Sequence, residues 1–278
     1  MENKQFKILF FGDITGKPGR IAVRDYLCSI PETQKPDFVI ANVENASHGF
    51  GLTKKNYDEL LSYGIDCFTS GNHIWDKKEI FDYIKEEDNI LVRPINYPQG
   101  TPGVGCKIFN KNNKKIAVLN ALGQVFMAPI DSPWVILKNE IEQIKEKVDY
   151  IVVDFHAEAT AEKIALGRYL SELGVSFFTG THTHVQTADE KIVNGMAYIS
   201  DAGLCGTPDG VIGMDYESSI KRFLTAMPVR YEVAETTNLQ INAVEVTLDK
   251  LHATDIKRIN ISYVHNKEGM EAKGESGP

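Results

Sequence analysis

The chain has 278 residues, of which 42% are hydrophobic and 24% are charged, as in a globular protein that can bury a large core. Its formal net charge of -8 excludes a surface that attracts nucleic acid by counterion release, so extended nucleic acid is not an expected partner. The sequence begins without a signal-peptide pattern and has no apolar run as long as a membrane span, which predicts a soluble, cytoplasmic protein. Four scattered cysteines without a CxxC pair agree with a reducing compartment.

Short apolar runs alternate with amphipathic stretches along the first half of the chain. FKILFFGD predicts a strand, and the apolar residues of KPGRIAVRDYLCSI follow at helical spacing. PDFVIANVEN predicts the next strand, and TKKNYDELLSYG predicts a helix that Thr53 caps and Gly64 ends. IDCFTSGNH and DKKEIFDYIKEED repeat the pattern, and VGCKIFNKNNKKIAVLNALG predicts a hairpin that turns at Lys111–Lys114.

The second half continues this alternation and then changes. SPWVILKNEIEQIKEKV predicts a helix that opens with Ser132 and Pro133, and further strand and helix patterns follow it, ending with GMAYISDAG. This rhythm predicts crossover units and a largely parallel sheet. PVRYEVAE, LQINAVEVTLD and ATDIKRINISYV then predict three consecutive strands in a second, mainly antiparallel sheet. No linker separates the two parts, so residues 1–266 are predicted to form one domain and the polar residues 267–278 a disordered tail.

Polar side chains that can bind a metal stand where the predicted strands end. They are Asp13, Glu44, Asn45, Asn72, His73, His156, His182, His184 and Asp201. In open parallel sheets, ligands bind outside the carboxyl ends of the strands, so we expect these residues to meet along one edge. Each residue alone could be a turn former, a helix cap or a buried core histidine. Their repeated occurrence at strand ends favours a shared site.

The donor types of this set predict a metal-dependent hydrolase. Imidazole, carboxylate and carboxamide groups without thiolates suit Mn, Fe, Zn or Co better than an all-oxygen Mg site. The proposed ligands are more than one ion needs: Asp13, Glu44, Asn45, Asn72, His156, His182 and His184. Two ions bridged by one carboxylate fit this number, and metals about 3.5–4 Å apart serve phosphoester and peptide hydrolysis. We therefore expect two divalent transition-metal ions per chain, with iron or manganese favoured over zinc.

The order GD…E-N…GNH…H…GTHTH resembles the calcineurin-like metallophosphoesterases, whose usual motifs are D-x-H, GD-x-x-D, GNH-[DE], H and GH-x-H. Two departures matter: DIT replaces D-x-H at Asp13, and NVEN makes Glu44 the bridging residue and Asn45 a substitute ligand. Both departures are similar to the bacterial YmdB-like subfamily, as are GDITGKPGR, RPINYPQGTPG and FLTAMPVRYEV. That subfamily is associated with 2′,3′-cyclic-nucleotide 2′-phosphodiesterase activity. The resemblance covers residues 6–263.

The resemblance implies a metallo-dependent phosphatase-like fold, which is a four-layer α/β/β/α sandwich of two mixed sheets. It implies that one metal is bound by Asp13, Glu44, Asn45 and His184, and the other by Glu44, Asn72, His156 and His182. His73 then remains as the general acid that protonates the leaving oxygen after attack by a metal-activated hydroxide. Arg20, Arg93, Tyr97 and the loop 100–105 are candidates for an outer substrate pocket, although each also fits a structural role.

The sequence leaves several functions open. A phosphodiesterase acting on a small diester or a 2′,3′-cyclic nucleotide is favoured. A phosphomonoesterase acting on a small phosphorylated metabolite would use the same metals, and a regulatory or RNA-associated protein could retain a weakly active metal site. A nucleotide-binding domain without hydrolysis is disfavoured because GDITGKPGR lacks the spacing of a dinucleotide fingerprint or a P-loop. Homo-oligomerisation is not decided by the sequence.

Overall fold

The computed structural model describes residues 5–266 and, for the backbone, residues 269–272. The described residues form the strands β1 (Phe6–Phe11), β2 (Asp13–Ile14), β3 (Phe38–Asn42), β4 (Cys67–Thr69), β5 (Leu91–Val92), β6 (Cys106–Lys111), β7 (Lys114–Leu122), β8 (Tyr150–His156), β9 (Phe177–Thr181), β10 (Lys191–Val193), β11 (Met196–Ile199), β12 (Leu204–Cys205), β13 (Asn238–Asp249), β14 (His252–Asn266) and β15 (Gly269–Ala272). The helices are α1 (Gly16–Ser29), α2 (Lys54–Leu61), α3 (Ile80–Tyr83), α4 (Pro133–Ile144), α5 (Thr160–Ser171) and α6 (Tyr216–Thr225), with a 3-10 helix at Glu32–Gln34.

Two mixed sheets contain most of these strands. The first has the order β15-β14-β13-β1-β3-β4-β5, and it is parallel from β1 to β5 and antiparallel from β15 to β1. The second has the order β10-β11-β9-β8-β7-β6, with a parallel centre and an antiparallel strand at each edge. β2 and β12 form a short parallel pair beside them.

The alternation of side chains along β1 shows how the layers stack. Ile8 and Phe10 point into the apolar interior between the two sheets, where the ring of Phe10 meets Phe177 edge-to-face at 6.1 Å. Leu9 and Phe11 point the other way, into the cluster that α1, α2 and α3 cover. α4 and α5 cover the outer face of the second sheet. The layers therefore run helices, sheet, sheet, helices, which confirms the predicted four-layer α/β/β/α sandwich.

Several local predictions are confirmed. Thr53 precedes α2 and its side chain accepts a hydrogen bond from the backbone N–H of Asn56, while Gly64 follows the helix with a φ of 84°. β6 and β7 form the predicted hairpin, with Lys111 opposite Lys114. Pro133 occupies the first turn of α4, although the side chain of the preceding Ser132 makes no capping hydrogen bond.

The C-terminal strands differ from the prediction. β13 pairs antiparallel with β1, so β13 and β14 extend the first sheet and do not form a separate one. Residues 228–235, predicted as a strand, contribute only an isolated bridge between Val233 and Met214. Alternation of side chains identifies a strand but not its partner, and β13 covers the edge that β1 would otherwise expose. Within the predicted disordered tail, residues 269–272 pair with β14, and residues 267–268 and 273–278 lie outside the described residues.

The interior between the sheets predicts the effect of shortening one side chain. Phe10→Ala removes a fully buried ring, and we expect it to lower the free energy of unfolding by about 3–5 kcal/mol. Urea denaturation followed by circular dichroism measures this change. Leu251→Ala, at an exposed position in the turn between β13 and β14, is the control and should stay within about 0.5 kcal/mol of the original protein. Equal stability of the two variants would contradict the packing described.

Candidate metal centre

The carboxyl ends of strands from both sheets meet at one edge of the sandwich. The residues predicted as metal ligands lie there: Asp13 in β2, Glu44 and Asn45 after β3, Asn72 after β4, His156 at the end of β8, and His182 and His184 after β9. Side-chain contacts of 4.0 Å or less connect all of them. The expectation that they share one site therefore agrees with their positions, and their role as ligands stays a prediction.

Glu44, His156 and His182 form the tightest group. Nε2 of His156 lies 3.0 Å from Oε1 of Glu44 and 3.0 Å from Nδ1 of His182. Oδ1 of Asn72 lies 3.1 Å from the same nitrogen. One donor atom from each of Glu44, His156 and His182 lies within 4.8 Å of the other two, which is close enough for the three residues to bind one ion.

Asp13, Asn45 and His184 form a second group on the other side of Glu44. Nδ2 of Asn45 lies 3.2 Å from Oε1 of Glu44 and 3.0 Å from Nε2 of His184. Oδ2 of Asp13 lies 3.8 Å from the same histidine nitrogen. Rotating the Asn45 carboxamide by half a turn directs its oxygen to the same point. Glu44 thus contacts both groups, as a bridging carboxylate must.

Burial and mutual charge set unusual pKa values in this cluster. Burial raises the pKa of Asp13 well above its usual value, and His156 opposes this rise only in part. Burial also opposes ionisation of Glu44, but the charge and hydrogen bond of His156 outweigh it and lower the pKa of Glu44 to about 2. Burial opposes the charge of His156, yet Glu44 raises the pKa of His156 to about 9, while burial and His156 lower that of His182 to about 3. The negative charge of Glu44 is therefore balanced by the second proton of His156. A bound metal cation would displace that proton.

An unpartnered atom and the donor chemistry both fit a metal. Oδ1 of Asp13 is buried and has no hydrogen-bond partner among the described residues. Such atoms are rare, because a buried carboxylate oxygen is stabilised only when it accepts a hydrogen bond or binds a cation. The nitrogen and oxygen donors around it, with no thiolate among them, are those that Mn, Fe and Zn accept. The residues present therefore fit a transition-metal centre.

Two of the histidines are oriented through their second ring nitrogen. Nε2 of His182 lies 3.1 Å from Oε2 of Glu158, and Nδ1 of His184 lies 2.9 Å from the carbonyl oxygen of Ile212. Donation to these oxygens leaves Nδ1 of His182 and Nε2 of His184 free to bind a metal. Neither partner was predicted from the sequence. Glu158 stands two residues after His156 and could have been found at that strand end, whereas no sequence pattern indicates the Ile212 carbonyl.

His156 is held by a hydroxyl and a carboxylate from the interior. Oγ1 of Thr181 donates to Oδ1 of Asp154 over 2.7 Å and lies 2.9 Å from Nδ1 of His156. Because the hydroxyl hydrogen is used by Asp154, its oxygen accepts from the Nδ1–H of His156. This arrangement directs Nε2 of His156 into the cluster, where Glu44 and Asn72 lie.

The backbone of the GTHTH segment explains how its two histidines converge. His182 has a φ of 101° and His184 a φ of 65°, so the chain leaves the extended conformation where β9 ends. Such values are unusual for residues other than glycine and need support from the surroundings. Thr183, between them, donates from its N–H and its hydroxyl to Asp201, which pairs with the buried Lys163 at 2.6 Å. Asp201, one of the strand-end residues, therefore supports the loop.

His73, the predicted general acid, lies beside the cluster. Its backbone N–H donates to Oε2 of Glu44 over 3.1 Å, and its Nδ1 lies 2.8 Å from Oδ2 of Asp76. The ring of Phe50 packs edge-on against the imidazole, with the ring centres 4.9 Å apart. Asp76 and Phe50 therefore orient the ring of His73.

A cavity of 330 Å³ opens over the cluster. Its polar lining consists of Glu44, Asn45, His73, Glu158, His182, Thr183, His184 and Ser219. Its other lining residues are Phe50, Val211, Ile212, Met214, Phe223 and Tyr231. This volume is near the lower end of the range for small-molecule sites, about 300–1,000 Å³. No lysine or arginine is among the described residues that line it.

The residues considered for an outer substrate pocket do not line this cavity. Arg20 forms a salt bridge with a glutamate of α2 and donates to a backbone carbonyl. Arg93 donates to carbonyl oxygens of the loop 100–105 and so fixes that loop. Tyr97 packs edge-on against Trp75, with the ring centres 5.6 Å apart. These contacts therefore support structural roles for the three residues rather than roles in binding a substrate.

Comparison with known proteins identifies the family. Residues 9–259 match the family model described as YmdB-like protein. The chain belongs to the YmdB-like family. This result confirms the resemblance found in the sequence, and the match includes every residue of the cluster.

Relatives of this YmdB-like chain match it over nearly their whole length. It is 48% identical over 261 residues to the 2′,3′-cyclic-nucleotide 2′-phosphodiesterase of Bacillus subtilis strain 168, covering 93% of this chain and 98% of that protein. It matches the crystal structure of a novel phosphatase from Mycoplasma pneumoniae with a TM-score of 0.87 and 34% identity, covering 93% and 94% of the two chains. A hypothetical protein from Thermus thermophilus matches with a TM-score of 0.86 and 37% identity, covering 92% and 99%. These neighbours confirm the predicted phosphatase-like fold.

Within the described residues, none of the helices has both the length and the apolar character needed to span a bilayer.

The contact between Glu158 and His182 predicts a loss of metal affinity. Glu158→Gln keeps the shape of the side chain but removes the charge that holds Nε2 of His182, so we expect metal affinity to fall by about 10–100-fold. Titration with Mn²⁺, followed by calorimetry, measures the change. Glu172→Gln, at the exposed end of α5, is the matched control and should bind as the original protein does. Unchanged affinity in Glu158→Gln would mean that Glu158 does not support the site.

Proposed function

We propose that this member of the YmdB-like family is a metal-dependent phosphodiesterase that hydrolyses 2′,3′-cyclic nucleotides. The observation that carries the proposal is the convergence of donor atoms of Glu44, His156 and His182 within 4.8 Å, with Glu44 and His182 lining a cavity of small-molecule size. The activity of the Bacillus subtilis relative, which is 48% identical, supports the substrate class. The proposed enzyme is a single domain of residues 1–266 located in the cytoplasm, and its oligomeric state is left open.

We propose that the cluster binds two divalent transition-metal ions, with iron or manganese favoured over zinc. One ion would be bound by Asp13, Glu44, Asn45 and His184, and the other by Glu44, Asn72, His156 and His182. When bound, such ions lower the pKa of water and neutralise the charge of phosphoryl oxygens. The chain's own contribution is to orient the ligand histidines through Glu158, Thr181 and the Ile212 carbonyl.

His73 is proposed to deliver a proton to the departing ribose 2′-oxygen. The carboxylate of Asp76 accepts from Nδ1–H of His73, which leaves Nε2 as the atom that can hold and give the transferred proton. Phe50 limits rotation of the imidazole, and the contact between the His73 backbone and Glu44 fixes its distance from the cluster. These contacts support a general acid of fixed position.

The charge of the cavity favours a diester over a monoester. A phosphomonoester carries about 1.5 to 2 negative charges near neutral pH, whereas a diester carries one. Bound metal ions would balance phosphoryl charge in either substrate, but the described lining residues add no lysine or arginine to them, and the carboxylate of Glu158 adds a negative charge. We therefore favour the diesterase over the monoesterase that the sequence left open.

Substrate preference tests the proposed function. With metals quantified by plasma mass spectrometry, we expect 2′,3′-cyclic AMP to be hydrolysed with a higher kcat/KM than 2′-AMP or 3′-AMP, because the monoesters carry the extra charge. Glu44→Gln removes the charge that contacts both groups of donors and should lose bound metal and activity together. A preference for monoesters, or full activity in Glu44→Gln, would contradict the proposal.

Removal of His73 separates proton delivery from metal binding. We expect His73→Ala to retain its metals but to hydrolyse 2′,3′-cyclic AMP about 10²–10⁴-fold more slowly. The loss should be smaller for bis(p-nitrophenyl) phosphate, whose leaving group departs without protonation. His252→Ala, at an exposed position of β14, is the control and should keep full activity. Equal losses on both substrates would show that His73 does not act as the acid.

A further inference from the structure

One wall of the cavity supplies none of the proposed metal ligands. It comes from residues 211–231, which include α6, and its lining members are Val211, Ile212, Met214, Ser219, Phe223 and Tyr231. Most of these side chains are apolar or aromatic. A wall of this kind beside a phosphate-binding centre contacts the part of the substrate that does not react.

This wall is anchored to the metal cluster by backbone contacts. The carbonyl oxygen of Ile212 lies 2.9 Å from Nδ1 of His184. Asp215 caps α6 by accepting from the N–H of Ser218 over 2.8 Å, and its own N–H donates to the carbonyl of Glu232 over 2.8 Å. These contacts therefore hold the helix at a set distance from the candidate metal cluster.

Two aromatic side chains of the wall are available to a planar ligand. Phe223 is 76% exposed although it lines the cavity. The guanidinium of Arg222 lies over the ring of Tyr231, 5.2 Å from its centre, and covers one face of that ring. Aromatic side chains beside a nucleotide-sized cavity bind bases by stacking, with little dependence on which base is present.

Ser219 adds an unpartnered polar group on the same helix face. The residue is 1% exposed, it lines the cavity, and its Oγ has no hydrogen-bond partner among the described residues. Buried hydroxyls nearly always form a hydrogen bond, and a ligand in the cavity can supply the one that this oxygen lacks. Ser219 and Phe223 stand four residues apart on α6 and therefore share one face of the helix.

We propose that Ser219, Phe223 and Tyr231 form a nucleoside subsite. The aromatic rings contact the base, and the Ser219 hydroxyl binds a polar atom of the nucleoside. Stacking does not distinguish bases and the wall carries few groups that could read a base edge, so purine and pyrimidine nucleosides are both accepted. The inference rests on the proposed function and assigns the residues that hold the nucleoside part of its cyclic nucleotide substrate.

A pair of substrates with the same reacting ring tests the subsite. 2′,3′-cyclic AMP and glycerol 1,2-cyclic phosphate share a five-membered cyclic phosphate, and only the first has a base. We expect Phe223→Ala to lower the ratio of their kcat/KM values by about tenfold or more, and Phe223→Trp to preserve it. Leu224→Ala removes a neighbouring side chain that is 77% exposed and does not line the cavity, so its ratio should equal that of the original protein.

The outcomes separate this subsite from the proposed function. An unchanged ratio in Phe223→Ala, in an enzyme that hydrolyses both substrates, would overturn the subsite and leave the diesterase intact. If the metal-replete protein hydrolyses neither substrate, the proposed function is wrong, and binding of adenosine alone decides the subsite. Saturation-transfer NMR should detect adenosine on the original protein and on Leu224→Ala but not on Phe223→Ala. Equal binding by all three proteins, or binding by none, would overturn the subsite.

Discussion

The carboxylate of Glu44 lies buried where the two sheets meet, and the candidate site depends on the groups that balance its negative charge. A buried carboxylate is costly unless charged or hydrogen-bonding groups surround it. Its partners come from both sheets: His156 ends a strand of the second sheet, whereas Asn45 and the backbone of His73 follow strands of the first. The two sheets must therefore end at the same level, and this requirement brings residues distant in sequence to one point.

A polar network beneath the cluster maintains this alignment. Asn42 of β3 donates to Asp154 of β8 over 3.0 Å, across the gap between the sheets, and its oxygen accepts from the N–H of Glu44. Asp154 in turn accepts from Thr181 of β9, which contacts His156. The apolar interior gives way to this network towards the site, and a buried network whose members are paired allows few alternative positions. The same contacts thus link the packing of the sheets to the orientation of the histidines.

Local sequence patterns predicted the parts that depend on neighbours in the chain. Thr53 caps α2, the β6–β7 hairpin turns where expected, and the polar residues after each strand lie at one edge because parallel strands share their carboxyl ends. Patterns failed where the partner is remote. The alternation in β13 could not indicate that it pairs with β1, and residues 228–235 resemble a strand but only one of them forms a bridge.

The sequence by itself determined the chemistry of the donor set and the positions where it occurs, because residue types and strand ends are local properties. Only the tertiary structure decided how these groups are used. It places His182 and His184 at positive φ angles and brings the carboxylate of Glu158 into contact with His182. It also positions α6 beside the cavity through the contact between the Ile212 carbonyl and His184. Each of these features requires contacts between segments far apart in the chain. Such contacts are selected by packing and by the pairing of buried polar groups, which no short pattern records.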